Sequence, residues 1–134
     1  MMNCSCGNSE SFEKCCEPLL LGKATATSAE QLMRSRYSAY VHQKIDYLIE
    51  TTHPSTRKLY LRKDTEKWAK ESKWLKLEVL FSSENFVEFK AYYQDKIGKI
   101  HEHHEKSNFI FENPFNRESC RIYFVVKTQK TQIK

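Results

Sequence analysis

Leu75-Lys76-Leu77-Glu78-Val79-Leu80-Phe81 is where the hydrophobic pattern of this chain changes its period. Upstream, apolar residues recur at steps of three and four. Here they recur at every second residue, with Leu75, Leu77, Val79 and Phe81 set against Lys76, Glu78 and Leu80. A period of two puts alternate side chains on opposite faces of a strand, so the stretch reads as the first strand of a sheet with Leu75, Leu77, Val79 and Phe81 inward. Three more such patterns follow. Val87, Phe89, Ala91 and Tyr93 form one alternating face. Ile100, Glu102, His104 and Lys106 oppose His101, His103, Glu105 and Ser107, and Phe109-Ile110-Phe111 extends that strand. Ile122, Phe124 and Val126 make the last. Asp95-Lys96-Ile97-Gly98-Lys99 is a hairpin connection in which Gly98 supplies a positive φ.

Working back from Leu75, the pattern is helical. Ser28 followed by Gln31 is a capping box. Leu32, Met33, Tyr37, Tyr40 and Val41 then recur at helical spacing, with Arg34 and Arg36 off the centre of the stripe. Ile45, Leu48 and Ile49 continue a helical face, and Thr51-Thr52-His53-Pro54 ends it, because Pro54 lacks an amide donor and restricts His53. A further helix is expected between Asp64 and Ser72, capped by Asp64, with Trp68 facing inward. Helices first and four antiparallel strands afterwards define an α+β domain whose curved sheet buries its apolar face against the helices.

A chain of 134 residues suits one domain plus a small appendage. Its 40% hydrophobic and 29% charged residues are a globular balance, which excludes a disordered or fibrous class. The formal charge is +5. Cys4, Cys6, Cys15 and Cys16 crowd the first 16 residues, and as four thiolates around one Zn2+ they would carry −2, bringing a metal-loaded chain to about +3. That is too little to mark a nucleic-acid binder. The stretch from Arg121 to Lys134 holds four basic residues and no acidic one, and reads as a solvated tail. Met1 leads straight into Asn3-Cys4-Ser5-Cys6 without a signal pattern, and Leu19-Leu20-Leu21 is far short of a membrane span. The expectation is a cytoplasmic protein without membrane insertion, in which clustered thiols mean metal or redox chemistry rather than structural disulfides.

Cys4, Cys6, Cys15 and Cys16 are four of the five cysteines, and all fall within the first 16 residues. Zinc accepts four thiolates in a tetrahedron and replaces the core that so short a segment cannot build. Gly7-Asn8-Ser9 permits a turn after the first pair, Phe12 can cover one side, and Pro18 is expected to end the module. Structural Zn2+ is the favoured reading; a labile thiol or disulfide site and an iron–sulfur site are the alternatives. Cys120 sits apart in Cys120-Arg121-Ile122-Tyr123-Phe124 and reads as a buried strand cysteine.

Taken together, these residues resemble the YchJ-like family, also called UPF0225. Cys4-Ser5-Cys6 through Cys15-Cys16-Glu17-Pro18 looks like its SEC-C zinc motif. Thr27-Ser28-Ala29-Glu30-Gln31-Leu32-Met33-Arg34-Ser35-Arg36-Tyr37 resembles the opening helix of its main domain. Val87-Glu88-Phe89-Lys90-Ala91-Tyr92-Tyr93 and His103-His104-Glu105-Lys106-Ser107-Asn108-Phe109 are similar to two of its strands. The resemblance implies an NTF2-like α+β fold, helices packed on a bent antiparallel sheet around a conical space, preceded by a small zinc knuckle. SEC-C motifs also occur at the tail of the SecA translocation ATPase, where the knuckle contacts protein partners, so an interaction role is implied here too. No Gly-rich phosphate loop accompanies it. The chain departs from the family pattern at Ser5 and Ser9, where Pro and Gly are usual, and in the longer connection Asn113-Pro114-Phe115-Asn116-Arg117-Glu118.

A second candidate site lies in His101-Glu102-His103-His104-Glu105. On a strand, His101, His103 and Glu105 share one face, where they could bind a ligand or move a proton. Successive same-face residues stand about 6.6 Å apart along a strand, which is awkward for one metal ion. Arg34 and Arg36 could reach an anionic group or form an internal ion pair. Trp68, Trp74, Tyr92 and Tyr93 read as core, with a pocket lining as the alternative.

The expectation is therefore a zinc module at 1–22 and an NTF2-like domain at 23–134. Cys4, Cys6, Cys15 and Cys16 hold Zn2+, and Arg34, His101, His103 and Glu105 are candidates for a ligand in the cavity. The function expected is that of a zinc-binding accessory or interaction factor with a protein partner. The alternative is a small-molecule-binding protein or enzyme that uses the cavity. No catalytic residue is assigned, and nucleic acid is not an expected partner.

Overall fold

The computed structural model describes residues 3–112 and 121–126. Helices α1 (Glu17–Leu20), α2 (Ala29–Val41), α3 (Ile45–Glu50) and α4 (Arg62–Glu71) precede strands β1 (Lys73–Ser83), β2 (Phe86–Gln94), β3 (Ile100–Glu112) and β4 (Arg121–Val125). Cys120, the 113–118 connection and the basic residues beyond 126 lie outside the described residues. Among the described residues no helix is long and apolar enough to cross a membrane.

Helix α2 starts where the cap predicts. The Gln31 amide donates to Ser28 Oγ at 3.0 Å. The Gln31 carboxamide oxygen reaches back one residue further than a capping box requires, and accepts from the Thr27 amide and hydroxyl at 2.7 and 3.1 Å. Helix α4 starts two residues before Asp64, so Asp64 lies in its first turn, with its charge at the positive end of the helix, while Leu61 takes the cap position.

The four strands pair antiparallel in the order β1-β2-β3-β4. The expected bent sheet around a conical space is not what forms: the sheet is open and does not curl. Bending a sheet needs bulges or glycine kinks through its central strands. The β2–β3 ladder runs unbroken from Phe86 opposite Asn108 to Gln94 opposite Ile100. All three glycines, Gly7, Gly22 and Gly98, lie outside the strands. The register shifts are confined to the edge strand β1, between Trp74 and Lys76 and between Val79 and Phe81.

Those two shifts correct the inward face read from β1. A slip of one residue moves every later side chain to the other face. Leu77 and Val79 point inward as expected, but Leu75 and Phe81 are 43% and 55% exposed. Trp74 and Ser82 turn inward instead. The alternation holds on β2 from Phe86 to Ala91 and on β3 from Ile100 to Ile110, with Val87, Phe89, Ala91, Ser107 and Phe109 buried, while Phe111, next on the inward phase, is 42% exposed.

The main core packs Leu32, Met33 and Tyr37 of α2 against Leu77, Val87, Phe89, Phe109 and Ile122 of the sheet. A smaller core of Ala39, Ile45, Leu48 and Ala69 joins α2, α3 and α4. The chain after α3 is stitched to β4: the Phe124 amide donates to Thr51 O at 2.8 Å and the His53 amide to Phe124 O at 2.7 Å.

The bulge at Trp74–Lys76 makes a direct prediction. Leu77→Ala should lower the unfolding free energy by about 2–4 kcal/mol, whereas Leu75→Ala should cost less than about 1 kcal/mol. Urea denaturation of both variants checks this. Equal losses would mean that β1 keeps the simple alternation.

Candidate functional site

The first site is built by the turns around the four cysteines. The Gly7 amide donates to Cys4 O at 3.0 Å, and the Cys4 amide to Glu10 O at 2.7 Å, so Cys4 and Cys6 sit on a tight loop. Cys15 closes a short 3-10 turn over Phe12–Lys14, and Cys16 occupies the cap position of α1. Pro18 does not end the module; it lies in the first turn of α1, where its missing amide costs nothing.

Cys4, Cys6 and Cys16 are buried and Cys15 is half-buried, and their four sulfur atoms lie within 4.8 Å of one another. Cys6 and Cys15 are 3.6 Å apart and Cys15 and Cys16 3.9 Å. A tetrahedron with zinc–sulfur bonds of about 2.3 Å has edges of about 3.8 Å, so this spacing suits one ion. It is far beyond the S–S bond of about 2.05 Å, and the thiols are free. The charge problem points the same way. Hydrogen bonding from Cys16 lowers the Cys6 thiol to about 5. With that first thiolate in place, burial and the Cys6 charge push Cys15 up to about 11. Hydrogen bonding to Cys6 and burial raise Cys16 further. A buried four-sulfur group of this kind becomes fully ionised only around a cation. The cluster is a structural zinc site. Among the described residues it is also the one group of three or more metal-ligating side chains packed this closely.

The knuckle does not hang free. Arg34 and Ser38 of α2 and His42 at its C-cap, spaced four apart, present one stripe to it. Arg34 Nη1 donates to Cys6 O at 2.7 Å. The Ser38 hydroxyl lies 2.9 Å from Ser5 Oγ and 3.7 Å from Cys4 Sγ. The His42 ring stacks on Phe12, centroids 4.3 Å apart. Asn8 Nδ2 donates to Cys15 Sγ at 3.4 Å. Gly7 has φ +100°, so the backbone conformation calls for glycine, and a Cβ there would stand 3.1 Å from Arg34 Nη1 and crowd the guanidinium.

The second site is a cavity of about 150 Å3 between α2, α4 and the inner face of the sheet. Met33, Arg36, Tyr37 and Tyr40 of α2 line one side, and Trp68, Trp74, His103, Glu105 and Phe124 line the rest. Of the four residues singled out for a ligand, the structure brings two together here. His103 Nε2 is 2.7 Å from Glu105 Oε1, and Ser107 Oγ donates to Glu105 Oε2 at 2.6 Å. Burial alone would raise the Glu105 carboxyl, but the bonds from His103 and Ser107, with the Arg36 charge, hold it below the usual carboxylate value of 4.5.

The other two residues lie elsewhere. His101 pairs with Asp95 at 2.7 Å and stacks on Tyr93, outside this cavity. Arg34 is committed to the knuckle and to Glu30, 3.0 Å away. Arg36, two residues on and hence about 200° around the helix, faces the cavity instead. The apolar stripe alone leaves the two arginines together, and their angular separation is the signal that divides them. Tyr60 had no periodic signal, since it follows a 3-10 turn, yet its hydroxyl bonds that of Tyr40 at the cavity wall.

Residues 28–125 match the family described as the YchJ middle NTF2-like domain. A UPF0225 protein of Geobacter sulfurreducens is 44% identical over 113 residues, spanning 79% of this chain and 70% of that protein. One from Haemophilus influenzae is 39% identical over 94% of this chain and 77% of that protein. Two solved structures superpose closely. The crystal structure of a SEC-C motif containing protein from Psychrobacter arcticus has a TM-score of 0.82 at 33% identity, covering 96% of this chain and 82% of the other. The solution structure of a SEC-C motif containing protein from Rhodopseudomonas palustris has 0.81 at 40% identity, covering 93% and 96%.

The Glu105 environment sets an acid limb on stability. A carboxyl lowered on folding contributes stability above its unfolded value of 4.5 and loses it as the pH falls through the lower folded value. Glu105→Gln should therefore flatten part of the stability loss below pH 4.5. Denaturant titrations at stepped pH check this; identical acid slopes in both proteins would show that Glu105 contributes none of it.

Proposed function

Because the chain belongs to the YchJ-like UPF0225 family, we propose that it is a zinc-binding accessory factor acting through protein contacts made by its N-terminal module. The observation that carries this reading is the four-sulfur cluster held on α2 by Arg34 and Ser38. Zinc here supplies rigidity rather than reaction chemistry: four thiolates fill a tetrahedral shell and leave no position for water or substrate. With the sulfurs turned inward, the segment from Gly7 to Glu10, with Glu13 and Lys14, stays exposed and is the surface offered to a partner.

On this reading the chain divides into a module at 1–22 and an NTF2-like body at 23–134. The two SEC-C motif containing structures support the pairing of such a module with such a body. Free clustered thiols suit a reducing compartment, and a cytoplasmic location is part of the proposal. A second reading concerns the cavity. Glu105 and His103 keep 28% and 35% of their side-chain surface accessible while lining it, which supports a small ligand held there.

Metal analysis of tag-free protein, purified without added metal, should give about one zinc per chain, and Cys15→Ser should lose it. Absence of zinc from both, with reactive thiols, would overturn the metal role. The contact role is tested with a photo-crosslinking residue at Ser9 and, as a control, at Glu84 in the exposed β1–β2 turn. Protein adducts in cells at Ser9 and not at Glu84, lost together with zinc in Cys15→Ser, are expected; equal labelling at both positions would overturn it.

A further inference from the structure

We propose that the cavity binds a small flat monocarboxylate, with the carboxylate on Arg36 and the ring against the aromatic wall. The proposal rests on the cavity being a ligand pocket and names the ligand's chemistry. Size comes first. A cavity of about 150 Å3 takes a single six-membered ring, as apolar cavities of that volume do. Trp68, Trp74, Phe89 and Phe124 supply flat apolar walls for it.

The polar groups then decide the ligand's charge. Arg36 is only 6% exposed. Its Nη1 donates to Leu48 O at 2.9 Å, to Thr51 Oγ1 at 2.6 Å and to Thr52 Oγ1 at 3.4 Å. Its Nε and Nη2 have no acceptor, and no carboxylate lies within 4.0 Å of it, among the described residues. The guanidinium lies over Phe124 at 4.3 Å and Tyr60 at 5.2 Å, so its plane is fixed. A buried guanidinium with open donors calls for an acceptor, and its fork matches the two oxygens of a carboxylate.

Glu105 is the opposite case. Both its oxygens are already taken, one by His103 and one by Ser107, so it is not waiting for a cationic ligand. Its charge also weighs against a second negative group on the ligand, which favours monocarboxylates over dicarboxylates.

The chain has two tryptophans, and both line the cavity, so intrinsic fluorescence reports the site in the zinc-loaded full chain. The probes are benzoate, benzyl alcohol and benzylammonium, which share a ring and differ in charge. Benzoate should bind at least about tenfold more tightly than benzyl alcohol, the worth of one charge-assisted hydrogen bond or more, and benzylammonium should bind weakest. Arg36→Met should remove the preference for benzoate. Because Arg36 also ties Leu48 and Thr51, Ala91→Leu serves as a second variant: it fills the cavity, leaves Arg36 in place and should abolish binding of every probe. Equal affinity for benzoate and benzyl alcohol would overturn carboxylate recognition while leaving a pocket. Tightest binding of benzylammonium would overturn it too. No probe bound by folded wild-type protein would remove the pocket reading as well, and full benzoate affinity in Ala91→Leu would place the binding elsewhere.

Discussion

Four sulfur atoms within 4.8 Å of one another cannot all be charged unless a cation sits among them. The order of residues 3–20 depends on that constraint. The segment has few apolar side chains of its own; Phe12 and Cys15 are the partly buried residues packed on its small core. A segment so poor in apolar surface cannot offset the entropy of fixing its backbone. Metal ligation replaces the missing core, and α2 supplies the rest. Arg34 caps a carbonyl of the loop, Ser38 lies buried between Ser5 and Cys4, and His42 stacks on Phe12. The knuckle is thus a metal-built unit whose orientation is set by a helix of the neighbouring body.

The same helix has a second task on its other side. With a rotation of 100° per residue, Met33, Arg36, Tyr37 and Tyr40 fall away from the 34, 38, 42 stripe and toward the sheet. Helix α2 therefore reads as weakly amphipathic, because neither long face is solvent. Polar residues that would ordinarily mark an exposed face are buried here: Ser35 and Ser38 are fully buried and Arg36 nearly so. Ser35 donates to Leu32 O at 2.8 Å and meets the Tyr47 hydroxyl at 2.7 Å, which satisfies it without water.

This explains what was legible in the sequence and what was not. The four cysteines declared themselves, because no other residue type clusters at that spacing for a structural reason. The strand faces of β2 and β3 were legible because their register is unbroken. The face of β1 was not, since two bulges shift it and a bulge leaves no mark in an alternating pattern. The sheet's shape was misjudged for a related reason: the resemblance implied a bend, but curvature comes from bulges and glycines in the central strands, and β2 and β3 carry neither. The histidine cluster was half legible. Strand periodicity put His101, His103 and Glu105 on one face, but His101 stands at the hairpin end, where Asp95 captures it.

The two arginines make the sharpest case. They are two residues apart, chemically identical and both off the centre of the apolar stripe, yet one holds a backbone carbonyl of the metal loop and the other lies under two aromatic rings at the cavity. What separates them is not local. Arg34 has a carboxylate one helical turn back, Glu30, which Ser82 and Arg34 together hold below its usual value. Its charge is compensated within α2. Arg36 has no such neighbour, because the residue one turn back is Leu32 and the residue one turn on is Tyr40. Its compensation comes from outside α2: from Leu48, Thr51 and Thr52 around the end of α3, from the rings of Tyr60 and Phe124, and at longer range from the Glu105 charge across the cavity. The guanidinium thus links α2 to α3, and its position over Phe124 places it where the α3 connection is stitched to β4. It fills a structural role with one nitrogen, while its Nε and Nη2 have no acceptor among the described residues.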